Sequence, residues 1–416
     1  MKKNLFLFLI IIFSFNSVTA QEMDLLDIDF DFLDSIFDDP VVETHVQEEP
    51  EQETPSVIQS LRRRRLDLNF SYEFQGAANP GWNVYPWEFD GNEKFSWALG
   101  AGMKSNIGIN AQLSDALRVR SVINYGIPGS GLTLGEFFFD YNFNEAVYLR
   151  AGKFSQSWGI SPNFGFANLL KRLPVDGPSG TSYIIKFDIP VDVGGIQLLA
   201  MTRANIAGGK IPYRNEIGFG GKYNLALRWA DFNLGLYYQN KMATRGFLSI
   251  KTTLGETEVY NEWLLGVNTH TDNSVGFSFN LGFFRSFLNN RLEVNGEIFY
   301  NGEGSTNYYQ TETEFYKEDV SPFLSGFNAA LNVLYRYNGW GNPRFFTRFL
   351  YGDESVSLIP GMRITPFPNT EVYLALPMAF GNGHYYKTSE NIKGEHRPVS
   401  LLLYVTFRGS FLASLN

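Results

Sequence analysis

From Leu66 to Phe407 the chain exchanges apolar for polar residues at every second position, a period that suits strands and little else. Leu66, Leu68, Phe70, Tyr72 and Phe74 alternate with Asp67, Asn69, Ser71, Glu73 and Gln75. The rhythm returns in Phe95–Ala101, Leu117–Val119, Ile217–Tyr223, Phe232–Tyr238, Val275–Phe283, Leu292–Tyr300, Phe327–Tyr335 and Val372–Met378. Each such strand separates two solvents. A soluble sandwich alternates as well, so the links between strands decide. Long ones at 76–94, 155–181, 204–214, 302–325 and 381–396 interleave with tight ones at Ser114-Asp115, Asn144-Glu145 and Asn289-Asn290. Long at one end and short at the other is the habit of a transmembrane barrel. The expected fold is all-β, an antiparallel up-and-down barrel of about eighteen strands with sixteen as the alternative, given roughly twenty residues per strand and link. An even count leaves both termini in the periplasm. Apolar runs such as Leu401–Phe407 are far too short for the ~20 residues that a spanning helix needs.

The chain before Leu66 follows other rules. Lys2-Lys3, an apolar stretch from Leu5 to Phe15 and Val18-Thr19-Ala20 read as a secretory signal cleaved before Gln21. Residues 21–60 hold thirteen Asp or Glu and no Lys or Arg, so the net charge of −9 comes from this leader, and residues 61–416 carry +2. A nearly neutral body gives no whole-surface argument for nucleic acid. Between Met23 and Phe37 acids and apolar residues recur at three-four spacing, an amphipathic helix, although Asp27–Phe32 also alternates as a strand would. Asp39–Ser60, rich in Pro, Glu, Gln and Thr, is expected to be disordered. The organisation is thus a signal over 1–20, an acidic periplasmic extension over 21–60 and a barrel over 61–416. The extension reads as a solubilising tether; a motif for a periplasmic partner and a plug in the barrel mouth are the alternatives. Arg62–Arg65 would hold the first strand at a headgroup boundary.

The stretch from Ala146 to Ser182 is the most informative. In Ala146–Phe154, Val147, Leu149 and Ala151 share one side, and Tyr148, Arg150 and Gly152 the other. The strand breaks at Ser155-Gln-Ser-Trp158-Gly159 into a long link, and a link of this length in a compact chain usually has a function. Leu149–Gly159, with Arg150, Gly152, Lys153, Trp158 and Gly159, resembles a feature of bacterial outer-membrane channel families of the alginate-export-like and anion-selective porin type. The resemblance implies a diffusion channel, with Arg150 facing the lumen, Lys153 near the mouth and the following loop narrowing the pore. Strand periodicity, by contrast, puts Lys153 on the side opposite Arg150. With the loop folded inward, Lys171, Arg172 and Asp176 are the charges expected at the narrowest point. Periodicity also places Arg118, Arg120, Arg150, Arg203, Arg336, Arg348 and Arg363 on lumen faces, together with Glu73, Glu216, Glu262, Glu293 and Glu297. Pairing between these signs to brace the wall is favoured over a dedicated ladder for an anionic solute.

Catalysis and cofactors find little support. His45, His270, His384 and His396 lack metal-ligand spacing, Gly177–Gly180 is no nucleophile elbow, and the absence of cysteine excludes disulfides and thiolate metal sites. The expected function is passive diffusion of small hydrophilic solutes across the bacterial outer membrane. A lipid- or fatty-acid-transporting barrel with an N-terminal plug, and a surface adhesin, are the other readings. Expected partners are outer-membrane lipid and the barrel-assembly machinery, with no metal, cofactor or nucleic acid. Because the acidic leader lies outside the alternating region, deleting residues 21–60 should leave a barrel that folds and keeps its heat-modifiable migration in detergent gels. Loss of that migration would make the leader part of the fold.

Overall fold

The computed structural model describes residues 65–88, 95–128, 131–164, 170, 182–202, 204, 206, 209, 211–240, 242–267, 275–302, 304–305, 321–324, 326–383 and 398–415. The signal, the acidic leader and Arg62–Arg64 lie outside them.

The wall is one antiparallel sheet of eighteen strands closed on itself. In chain order they begin with β1 (Arg65–Trp82), β2 (Phe95–Gln112), β3 (Leu117–Ile127), β4 (Gly131–Phe143), β5 (Val147–Phe154), β6 (Ser182–Val191) and β7 (Gly194–Thr202). Next come β8 (Ile217–Leu227), β9 (Ala230–Gln239), β10 (Thr244–Leu254), β11 (Thr257–Val267), β12 (Val275–Phe287) and β13 (Leu292–Asn301). A small parallel pair, β14 (Gly304–Ser305) and β15 (Ser321–Leu324), sits in the following link, outside the wall. The wall resumes with β16 (Gly326–Arg336), β17 (Arg344–Gly352) and β18 (Ser355–Phe367). Its last two strands are each interrupted once: β19 (Thr370–Ala375) with β20 (Met378–Gly381), and β21 (Val399–Ser400) with β22 (Leu402–Leu415). No α-helix occurs among the described residues.

Closure is made by β1, which pairs with β2 from Arg65↔Gln112 to Trp82↔Phe95, and on its other edge with β22 from Leu66↔Leu415 to Ala78↔Leu403. Two sequence boundaries move as a result. Gly76–Pro80 has the composition of a link, yet both neighbours pair with it, so β1 continues to Trp82 and the link begins at Asn83. Arg408–Leu415 is likewise no tail after Phe407; it is the near-end half of the closing strand.

The face of each residue follows the pleat. Phe137, Phe187, Leu236, Phe277, Ile298 and Phe407 point outward and stay 38–57% exposed, members of an apolar belt that water would not tolerate at this extent and lipid does. A charged side chain there would cost roughly 2–4 kcal/mol at mid-depth. Inward positions carry Gln197, Ser249, Glu262, Asn280, Asn295 and Asn332, all under 9% exposed. At the near end, where β1 begins and β22 ends, turns are tight. Asn144 and Glu145 both take positive φ (52° and 61°), as do Leu288, Asn289 and Asn290, a conformation that Asn tolerates better than other L-residues. The length rule has exceptions, since the far-end link at Asp353-Glu354 is two residues and the near-end link between β16 and β17 is seven.

Aromatic rings lie flat over glycines on neighbouring strands. At the closing seam Tyr72 stands opposite Gly409, where a Cβ would come within 2.3 Å of the phenol ring. Overpacking of this kind typically costs 1–3 kcal/mol. Gly409→Val should therefore lower the temperature at which the barrel loses its compact migration, and Tyr72→Ala in the same chain should recover part of the loss. An unchanged midpoint in Gly409→Val would mean that the ring does not hold the seam.

Candidate functional site

The link after β5 begins inside the barrel. Its described part, Ser155–Phe164 with Leu170, runs along the inner wall from β7 to β16, and the sequence shows how it is held. Gly159 takes φ +95°, a conformation closed to most side chains, and this turns the chain inward directly after Trp158. Trp158 is 1% exposed. Its indole N–H donates to Gln197 Oε1 of β7 at 2.6 Å, its ring lies 5.8 Å from that of Phe247 on β10, and it fills the space above Gly220 on β8. A Cβ at Gly220 would meet the indole at 2.6 Å. Phe164 packs on Phe299 of β13 at 5.0 Å, and Phe138, Phe154, Ile184, Leu199, Met201 and Leu264 join them in an apolar core inside the barrel.

Between Trp158 and Phe164 the loop meets two carboxylates. The N–H groups of Ile160 and Ser161 donate to the two oxygens of Glu262 on β11, at 2.7 and 3.2 Å. Glu297 on β13 accepts from the Asn163 N–H (3.0 Å), the Ser161 hydroxyl (2.9 Å), the Tyr260 hydroxyl (2.7 Å) and the Asn280 amide (3.2 Å). The Asn163 side chain donates to Asn295 Oδ1 and accepts from Asn332 Nδ2, each at 2.6 Å. Neither Glu262 nor Glu297 has a cationic partner among the described residues, so neutral donors carry the whole burden of solvating them. Hydrogen bonds to a charged group contribute about 1.5–3 kcal/mol each, which is how such burial is offset.

The remaining inner wall is charged and more open. Arg118 on β3 and Arg150 on β5 both reach Asp140 on β4 at 2.6 Å, and Arg150 lies 4.5 Å over the Phe138 ring. Arg120 pairs with Glu136 at 3.3 Å. Across the lumen Arg336, Arg344 and Arg363 occupy one register row over β16, β17 and β18. Arg336 pairs with Glu293, and Arg363 with Glu371. Arg408 is shared between Glu73 (2.5 Å) and Glu371 (3.3 Å). Arg348 stands inward on β17, opposite Asn332 and Ile359. Arg344 has no acid partner among the described residues.

The expected residues are therefore brought together in part. Arg118, Arg120 and Arg150 form one cluster, Arg336 and Arg363 share a row with Arg344, and Arg348 stands inward four residues further along β17, while Arg203, Lys171, Arg172 and Asp176 lie outside the described residues, as do all four histidines. Gly152 takes φ +139° over the backbone of Phe137 and Phe138. Lys153 sits on the outer side of the pleat, away from the lumen, and its ammonium turns back to the Leu134 carbonyl at 2.7 Å. Glu216 is not on the lumen wall: it ends a 3-10 turn, where its carboxylate accepts the Tyr213 N–H. The contacts of Glu262 and Glu297 with the loop, and Arg344, were not singled out by the sequence. The available signal was Asn or Glu at inward positions of β11, β12, β13 and β16, and the shared parity of Arg344 with Arg348.

No family model matches the sequence, and no curated protein does. The fold does match solved structures. OpdO (OccK3) of Pseudomonas aeruginosa superposes with a TM-score of 0.55 at 9% identity, over 85% of this chain and 98% of that one. OccK2 (OpdF) of the same organism gives 0.53 at 11% identity, over 85% and 100%. OccAB3 of Acinetobacter baumannii gives 0.52 at 9% identity, over 84% and 100%. At such identities the likeness establishes the eighteen-strand barrel and leaves the residues inside it to be argued on their own.

Trp158→Ala removes a buried ring and leaves Gln197 Oε1 without its donor, and truncating a buried Trp costs about 3–5 kcal/mol. The loop should then become susceptible to protease and the open channel noisier, while the barrel keeps its heat-modifiable migration. Trp158→Phe, which loses only the hydrogen bond, should be milder by several-fold. Wild-type noise and protease resistance in Trp158→Ala would show that the ring does not fasten the loop.

Proposed function

We propose that the protein is an outer-membrane channel for passive diffusion of small hydrophilic solutes, with the loop after β5 as its constriction. The near end of the barrel faces the periplasm and the far end the exterior. The observation that carries this reading is the first part of that loop, residues 155–164, fastened inside the lumen by Trp158, Glu262 and Glu297. An eighteen-strand wall encloses more space than its own side chains fill. Here the loop and its apolar core fill one side, and the charged wall of β1–β5 and β16–β22 borders what is left.

That border favours anions. Asp140 serves both Arg118 and Arg150, and among the described residues Arg344 has no acid to share. A pore with low-dielectric walls concentrates the field of such an excess. Lys171 and Arg172, two cations against Asp176, would act in the same sense if they reach the narrowest point.

Planar-bilayer recordings test both parts. Stable open steps with a reversal potential on the anion side are expected. A unit charge about 10 Å from the ion path in water is worth about 0.4 kcal/mol, so Arg344→Gln should lower anion preference about twofold. Neutralising Lys171 and Arg172 together should act in the same direction, and shortening the loop should raise conductance. Silence with co-purified lipid would favour a lipid transporter, and silence without lipid an adhesin. Unchanged conductance after shortening the loop would sink the constriction.

A further inference from the structure

We propose that Glu262 and Glu297 form a proton-sensitive latch, in which their ionised carboxylates hold residues 160–163 against the wall and so set the aperture. The proposal rests on the channel reading above and adds to it the residues that position the loop.

The two carboxylates are 0% and 3% exposed, on inward positions of β11 and β13, with Asn280 of β12 between them. Ionised, they present only acceptors, and what faces them donates: two loop N–H groups at Glu262 with the buried Ser249 hydroxyl opposite, and an N–H, two hydroxyls and an amide at Glu297. A proton added to either carboxyl turns one acceptor into a donor. The hydroxyls of Ser161 and Tyr260 can rotate to receive it, but the N–H groups of Ile160, Ser161 and Asn163 cannot. The wall also has acceptors in reserve, since the buried Oδ1 atoms of Asn280 and Asn332 have no partner among the described residues. Protonation therefore weakens the loop's backbone contacts, by removing the charge that both oxygens share and competing for one N–H acceptor, while the wall's own side chains can rearrange around it.

Among the described residues no other titratable group nearby competes for this role. The titratable or charged residues facing the pair are Tyr260 on β11, already donating to Glu297, and Glu293 on β13, paired with Arg336 of β16. Arg245 on β10 is four residues along from Ser249, which stands opposite Glu262. The described loop residues 155–164 carry no ionisable side chain.

The test uses the full barrel in two assays. Conductance is followed from about pH 8 to about pH 4, a span that covers ordinary carboxyl titration. The chain has no cysteine, so Phe164→Cys, at a position 8% exposed, reports loop lifting through its reaction with a polar thiol reagent. Acid should open a larger, noisier state and speed labelling about tenfold relative to a surface cysteine of the same barrel at the same pH, a ratio that removes the fall in thiolate. Glu262→Gln with Glu297→Gln should show that state and that labelling rate at both pH values. If this pair does not assemble, Ser161→Cys with Asn280→Cys, whose native side chains meet at 2.7 Å, ties the loop to the wall when oxidised. The tie should abolish the acid step and reduction should restore it. Labelling that responds to acid in a barrel that never conducts would uphold the latch and remove the channel reading. A conducting barrel whose aperture and labelling ignore acid, or an acid step that survives the Gln pair or the tie, overturns the latch.

Discussion

Hydrocarbon offers a peptide group no hydrogen bond, and the architecture follows from that deprivation. A sheet can meet the requirement only by having no edge, so the seam between β1 and β22 stands behind every other feature of the wall. The two interruptions show how strictly it is met. Where the last strands break, the Leu401 N–H donates to the Pro80 carbonyl, Ser400 to Pro377 and Leu376 to Pro360. With the wall closed, the pleat leaves each side chain two destinations, lipid or lumen. Ion pairs and buried carboxylates are thereby placed on the inside.

Inside, two kinds of electrostatics coexist. The arginines of β3–β5 and β16–β22 form ion pairs beside open space, such as Arg118 with Asp140 and Arg408 with Glu73, and pairs of that exposure contribute at most about 1 kcal/mol each. Glu262 and Glu297 are buried instead, and removing donors from a buried charge costs several times more. The loop side is accordingly the stiff one. The arginine side is wet and adjustable, which is where a passing ion meets charge that is not already fully engaged.

Much of this was legible because parity is a strict code. Once Phe137, Phe139 and Tyr141 are read as facing lipid, Phe138 and Asp140 must face inward, and no knowledge of neighbours is needed. Strand ends escape the code, because they depend on what lies alongside. Gly76–Pro80 is small and turn-like in composition, yet β2 and β22 hold it extended. Glu216 lies one residue before its strand, where parity no longer applies, and caps a turn instead. The loop announced itself by its length and by Trp158-Gly159. Its receptors did not, since an Asn or Glu at an inward position looks alike whether it meets water or a backbone N–H. Lys171, Arg172 and Asp176 fall where the described structure stops.

The fastening of the loop has a temporal side. Ile160 finds Glu262 across 102 residues, Asn163 finds Glu297 across 134, and Asn332 reaches Asn163 across 169. Contacts so remote in sequence bear a high closure entropy and form late. During synthesis the loop exists long before its receptors, and it cannot dock until β11, β13 and β16 have joined the sheet. The interior of this barrel is therefore furnished only after much of its wall is built, and a chain stopped short of β16 would lack both the last receptor of the loop and the strand that closes the seam.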